Sequence, residues 1–95
     1  MDKFSVYILH FDSPYWSNCR HYVGYTKDLT ARLKQHENGN GSKLVKYANR
    51  LGIKWTPVRV EEFDSQSEAR RREVQIKRRG GGGRLCPICN REKGR

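Results

Sequence analysis

Apolar and polar residues alternate along the beginning of the chain, as they do in a β-strand. Within Phe4–His10 the even-numbered residues, including His10, fall on one face and the odd-numbered residues, including Tyr7, fall on the other. A turn-rich stretch with Asp-Ser-Pro and Ser-Asn follows, and His21–Thr26 then returns to a strand pattern. These segments predict a hairpin with a long loop.

The next part of the chain changes to helical spacing. Asp28 is a candidate N-cap of a first helix of about ten residues, which ends at the Asn-Gly-Asn-Gly run of residues 38–41. A second helix is predicted to begin at Ser42 and to end just before Gly52. Its apolar stripe is expected to be structural.

Residues 53–63 return to a strand pattern, in which Pro57 indicates an edge strand or an early position where no ladder donor is required. The capping-box pattern of residues 65–68 then opens a third helix, which runs to about Arg79 before a glycine run. The predicted order is β-β-α-α-β-α, a small α/β (α+β) domain over residues 1–79. Residues 80–95 are predicted to form a glycine-rich linker and a basic tail with a Cys-x-x-Cys motif.

Length and charge narrow the class of protein. A chain of 95 residues has room for one domain and a modest core. The formal charge is +10, and residues 65–95 hold ten Lys/Arg against three Glu, as in a nucleic-acid binder. A solvated basic surface or a membrane-surface patch is the alternative. Without an apolar span or a signal-peptide core, we expect a soluble, cytoplasmic protein.

Five dispersed residues could together hydrolyse a phosphodiester bond. That reaction needs a proton acceptor for water, positive charge on the phosphate oxygens and assistance to the leaving oxygen. Two phenols, a guanidinium, an imidazole and a carboxylate could provide these functions. They are Tyr7, Tyr22, Arg32, His36 and Glu73.

Glu73 is unusual because helical spacing places it on the same side as Ala69 and Ile76, toward the body of the domain. A partly buried carboxylate needs a cation or hydrogen bonds. From spacing alone, a metal ion and a salt bridge to a neighbouring arginine explain it equally well.

Taken in order, these motifs resemble the GIY-YIG endonuclease superfamily over roughly residues 4–79. Val6-Tyr7-Ile8 is similar to the first signature triplet and Tyr22-Val23-Gly24 to the second, with Arg32 and His36 following on a helix. Glu73 matches the family's metal ligand. The resemblance implies a three-stranded antiparallel sheet flanked by helices and cleavage of DNA with one Mg²⁺ or Mn²⁺ ion. It also implies that Tyr7, helped by His36, or else Tyr22, deprotonates the attacking water.

The chain departs from the family pattern in three places. Val6 stands at the first glycine of the signature, and the gap between the two tyrosines is longer than usual. Tyr25 stands where some repair relatives carry lysine, which fits the subgroup that uses a helix histidine.

The three cysteines do not form the even framework of a small secreted domain, so a reducing compartment is expected. Cys86 and Cys89 have the spacing of half a zinc site, and Cys19 with His21 could complete it. Unligated thiols or a site shared between two chains are the alternatives. Any zinc is expected to be structural.

The expected partner is DNA, bound by a monomer or a weak homodimer. The alternatives to a nuclease are a non-catalytic nucleic-acid-binding module and a zinc-stabilised interaction protein. The sequence leaves open the DNA structure that is cut and the biological pathway. Basic residues near the predicted site are expected to contact nucleic acid, namely Lys27, Arg70, Arg71, Lys77, Arg78 and Arg79.

Overall fold

The computed structural model describes residues 3–13, 20–79 and 83–88. This part of the chain forms a three-stranded sheet, three α-helices and a short 3-10 turn, in the predicted order. The elements are β1 (Phe4–Phe11), β2 (His21–Thr26), α1 (Leu29–Glu37), α2 (Lys43–Arg50), β3 (Trp55–Phe63), α3 (Gln66–Arg78) and the 3-10 turn Gly83–Leu85. The predicted α+β class with a cysteine-containing tail is confirmed.

The sheet has the order β2-β1-β3 and is antiparallel throughout. Tyr7 pairs with Gly24 across the β1–β2 ladder. The β1–β3 register shifts between Ile8 and Leu9, and Leu9 pairs with Pro57. Proline has no N–H to give to a ladder, so its place beside an irregularity in an edge strand agrees with the sequence prediction.

β1 is covered on both faces, and its alternation decides what each face contains. The odd face of β1 (Tyr7, Leu9 and Phe11) packs with Val45 and Ala48 of α2. The even face (Val6, Ile8 and His10) is covered by α3, whose Ala69 and Ile76 pack with Val6 and Ile8. The predicted two-residue period is confirmed, and the two faces define two separate cores.

All three helices begin at the N-caps that the sequence predicts. Asp28 Oδ1 accepts a hydrogen bond from Ala31 N at 3.1 Å, and Ser42 Oγ accepts one from Leu44 N at 3.0 Å. Ser65 Oγ accepts from Glu68 N at 3.2 Å and donates to the Glu68 carboxylate at 3.1 Å. The Glu68 carboxylate therefore binds the capping hydroxyl, whereas a standard capping box joins it to the N-cap backbone N–H.

The apolar stripe of α2 is only partly structural. Val45 and Ala48 are buried, but Leu44 and Leu51 are 46% and 53% exposed. The buried face of α2 is therefore narrow. Within residues 3–13, 20–79 and 83–88, no helix has both the length and the apolar character needed to cross a membrane.

Candidate active site

A buried tyrosine–histidine pair forms the centre of the candidate site. Tyr7 Oη lies 2.8 Å from His36 Nε2, and both side chains are fully buried. β1 directs Tyr7 to its odd face. His36 reaches the same place because it continues the stripe of Leu29 and Leu33 along α1, which packs against that face.

Tyr22 adds a second phenol to this pair. Its ring centroid lies 6.1 Å from that of Tyr7 and 5.5 Å from that of His36. The indole of Trp55, on β3, also meets the His36 ring edge-on, and the two ring centroids are 6.1 Å apart. These rings make a compact, largely apolar surrounding for one hydroxyl and one imidazole.

Two glycines allow the backbone to approach the pair closely. A Cβ at Gly24 would lie 2.6 Å from Tyr7 Oη, and a Cβ at Gly41 would overlap the His36 ring. Both approaches are too short for any side chain. Gly24 therefore sets the position of the phenol, and Gly41 sets the position of the imidazole.

The contacts of His36 indicate which of its nitrogens carries the proton. Ser42 N donates to Nδ1 at 3.4 Å, which makes Nδ1 an acceptor and places the proton on Nε2. Nε2–H then donates to the Tyr7 oxygen. Asn49 holds the end of α1 by donating from Nδ2 to the His36 carbonyl at 2.8 Å, and Trp55 Nε1 donates to Asn49 Oδ1 at 3.1 Å.

Arg32 lies one turn before His36 on α1. Its Nη1 donates to Gln35 Oε1 at 3.1 Å, whereas its buried Nε has no hydrogen-bond partner among the described residues. Hydrogen bonding with the Tyr7 hydroxyl raises the pKa of Arg32. An unpartnered buried donor is costly, so this N–H fits a site where a ligand provides the acceptor.

Burial sets the protonation of the central pair. It raises the pKa of Tyr7 to about 12, although the neighbouring Arg32 opposes the increase. Burial, followed by repulsion from Arg32, lowers the pKa of His36 to about 4. At neutral pH the free protein therefore holds a neutral phenol beside a neutral imidazole.

Glu73 lies on α3, which covers the even face, whereas the other four predicted residues cluster on the odd face. Its side chain is only 15% exposed, as the helical spacing predicts, and its carboxylate pairs with Lys77 Nζ at 3.2 Å. The salt-bridge partner is a lysine and not the arginine that the sequence suggested, since Arg72 pairs with Glu61 on β3. Among the described residues, no hydrogen bond or ion pair joins Glu73 to the Tyr7 cluster.

The predicted nucleic-acid contacts separate into three groups. Lys27 is exposed in the turn before α1. Lys77 is engaged with Glu73. The remaining four line a shallow groove of about 500 Å³ on the outer side of α3, namely Arg70, Arg71, Arg78 and Arg79.

The predicted zinc ligands are found in part. Cys86 and His21 lie together, and the third member of their group is His10, which the sequence analysis did not select. Cys19 and Cys89 lie outside the described residues. The available signal for His10 was its position opposite His21 in the predicted hairpin, and that register is observed. The sequence did not indicate the contacts that Gly41, Ser42 and Asn49 make with His36. Asn49 is distant from His36 in sequence, and Gly41 and Ser42 were predicted only to lie at helix ends.

Sequence comparison agrees with this geometry. A family model described as the GIY-YIG catalytic domain matches residues 3–82. A UPF0213 protein of Staphylococcus saprophyticus is 36% identical over 80 residues, which cover 81% of this chain and 83% of the relative. A UPF0213 protein of Halobacterium salinarum is 39% identical over 61 residues, 64% of this chain and 74% of the relative. No solved structure matches significantly.

The two triplets of the family signature occupy paired strands in this structure. Val6-Tyr7-Ile8 lies in β1 and Tyr22-Val23-Gly24 in β2, with Tyr7 directly opposite Gly24. The family model spans all three strands and all three helices. The chain therefore belongs to the GIY-YIG family.

Proposed function

We propose that this protein is a metal-dependent endonuclease that hydrolyses phosphodiester bonds in DNA. The observation that carries the proposal is the 2.8 Å contact between Tyr7 Oη and His36 Nε2 inside a cluster with Tyr22 and Arg32. A purely structural tyrosine has no need of a buried imidazole and a partly buried guanidinium beside its hydroxyl. Membership of a family of catalytic domains supports the same conclusion.

Arg32 binds the scissile phosphate in this proposal. Its guanidinium is always charged, and its planar set of donors matches phosphate oxygens. The buried Nε lacks a partner among the described side chains, so a phosphate oxygen would satisfy it. Charge that develops on the phosphoryl oxygens during attack would then be met by a donor that is already in place.

Tyr7 accepts the proton of the attacking water. The phenolate is a minor species at neutral pH because the pKa of Tyr7 is about 12, but it is a strong base. Both His36 Nε2–H and the Arg32 guanidinium stabilise negative charge on this oxygen. Tyr22 and Arg32 are the partly exposed members of the cluster, so we assign to Tyr22 the contact with substrate at the entrance.

Glu73 is the residue that would hold a divalent cation. Its carboxylate is an oxygen ligand suited to Mg²⁺ or Mn²⁺. Its present partner Lys77 has a side chain that is 53% exposed, so the ammonium group can move into solvent when an ion binds. When bound, such an ion supplies positive charge to the phosphate and to the leaving oxygen. β2 is an edge strand, so DNA that passes this edge could contact Tyr22 and also reach α3.

The test is nicking of supercoiled plasmid in Mg²⁺ by the wild type and by Tyr7→Phe, Arg32→Ala and Glu73→Gln. Loss of the base should reduce the rate by about 10²- to 10⁴-fold. Tyr47→Phe is the matched control, because Tyr47 is 42% exposed on α2. Equal nicking by wild type and Tyr7→Phe, with intact folding of both, would refute the assignment.

Two observations favour a second candidate, a nucleic-acid-binding module without catalysis. The arginine groove on α3 lies on the other side of the sheet from Tyr7, and Glu73 already has a cationic partner. This candidate predicts DNA binding that Arg71→Ala weakens and Tyr7→Phe leaves unchanged, with no magnesium-dependent nicking by any variant. Mobility-shift measurements beside the plasmid test separate the two.

A further inference from the structure

Three metal-ligand side chains meet at the open end of the β1–β2 hairpin, away from the Tyr7 cluster. His10 and His21 are directly paired in the ladder, and Cys86 arrives from the tail 76 positions after His10. His10 Nδ1 lies 3.4 Å from His21 Nε2 and 3.4 Å from Cys86 Sγ. One ligand atom from each residue falls within 4.8 Å of the other two.

These separations fit a tetrahedral metal site. With Zn–N of about 2.0 Å and Zn–S of about 2.3 Å, neighbouring ligands of a tetrahedron are about 3.3 Å apart for two nitrogens and about 3.5 Å for nitrogen and sulfur. The distances from His10 Nδ1 to His21 Nε2 and to Cys86 Sγ, both 3.4 Å, lie close to these ligand–ligand separations. Cys86 is fully buried, His10 is 3% exposed and His21 is partly buried, so two of the three ligands have the low exposure of a structural site.

We propose that His10, His21 and Cys86 bind a structural zinc ion. Thiolate and imidazole are the ligands that zinc prefers, whereas magnesium requires oxygen. The site therefore takes a different metal from the one assigned to Glu73. This proposal does not depend on the nuclease assignment, since its tests measure metal content and stability.

The ion would attach the tail to the hairpin. The 3-10 turn Gly83–Leu85 is too short to be stable alone, and it lies against the domain through Leu85 on the even face and through Gly83, where a Cβ would lie 3.9 Å from His21. A metal bond to Cys86 immediately after this turn fixes it in place.

The test is the zinc content of the full chain after purification without chelator, followed by cobalt substitution. We expect one zinc per chain and a tetrahedral cobalt spectrum with a thiolate charge-transfer band. Cys86→Ser and His10→Gln should reduce zinc affinity by more than the roughly 10- to 100-fold that the loss of an outer-shell partner causes. His36→Gln is the matched control and should bind zinc like the wild type, because His36 belongs to the other cluster.

Wild-type protein that binds no zinc at micromolar free metal overturns the proposal. So does equal zinc affinity in wild type, Cys86→Ser and His10→Gln. If the variants fail to fold, X-ray absorption of the wild-type zinc protein decides, since a shell of oxygen and nitrogen without sulfur contradicts a Cys86 ligand.

Discussion

The two faces of β1 are held together in different ways. On the odd face, backbone contacts fix the polar pair, because Gly24 borders Tyr7 and the Gly41–Ser42 segment borders His36. On the even face, His10 meets a cysteine from a short segment after α3. The geometry of the Tyr7–His36 pair is therefore set by the domain itself, whereas the second cluster needs a contact from a distant segment.

Removal of metals should have the largest effect, and it should affect the two faces of β1 in different ways. We expect chelation to abolish nicking, because the proposed ion at Glu73 is lost, and also to lower the melting temperature, because the proposed zinc is lost. Magnesium alone should restore nicking by any chain that remains folded, and zinc alone should restore the melting temperature. Zinc at 100 times its Kd would contribute about 2.7 kcal/mol.

Calorimetry and plasmid nicking on the same samples check this prediction. If magnesium restores the melting temperature as fully as zinc does, the two proposed sites do not differ in the metal that they bind.

A larger residue at Gly24 should displace Tyr7 on the odd face and leave the even face unchanged. Gly24→Ala places a methyl group 2.6 Å from Tyr7 Oη, so the phenol must move. A displacement of about 1 Å can reduce catalysis by about 100-fold. Gly83→Ala, where the methyl group meets only an ordinary contact at 3.9 Å, is the control on the even face and should nick at close to the wild-type rate. Single-turnover nicking measures both, and equal rates would contradict the role of Gly24.

The pH dependence of nicking should reflect Tyr7. The groups that face its hydroxyl are Tyr22, Arg32 and His36. Burial and Tyr22 raise the pKa of Tyr7 and Arg32 lowers it, with a net pKa of about 12. The phenolate fraction therefore increases about tenfold for each pH unit below that value, and kcat/KM should increase similarly between about pH 6 and 9. Residual nicking by Tyr7→Phe should lack this slope. A plateau in the wild-type profile near pH 7 would point to a different base.

Acid should weaken the odd face through His36. Its pKa is about 4 in the folded chain and 6.5 ordinarily, so between these values the unfolded chain binds the additional proton. The free energy of unfolding should therefore fall as the pH falls from 6.5 to 4, by about 2 kcal/mol from this residue. Urea titrations of wild type and His36→Gln measure the difference, and parallel pH profiles would exclude His36 as its source.

The sequence predicted what depends on local spacing. The alternation of β1 and the N-caps Asp28, Ser42 and Ser65 are encoded within a few residues, and each is observed. The shared helix face of Arg32 and His36 follows from a four-residue separation. The resemblance to a known family added the grouping of these residues with Tyr7.

The remaining features depend on contacts between distant segments. Nothing near His10 in the sequence indicates that Cys86 approaches it, and nothing near Asn49 indicates the carbonyl of His36 as its partner. The Lys77 partner of Glu73 is local, but the competing Arg72 pairs with Glu61 on β3, and nothing near Arg72 in the sequence indicates that partner. Tertiary packing makes these choices.

The alternation of β1 also limits how the length of this protein can change. Tyr7 and His10 are three positions apart and His21 and Tyr22 are one apart, so each strand presents a phenol on one side and an imidazole on the other. A single-residue insertion between Tyr7 and His10 would turn His10 away from Cys86 and leave Tyr7 unchanged. An insertion of two residues would return His10 to its own face, but it would displace His10 by about 6.6 Å along the strand and so separate it from His21 and Cys86. The distance between Tyr7 and His10 is therefore fixed in length as well as in parity.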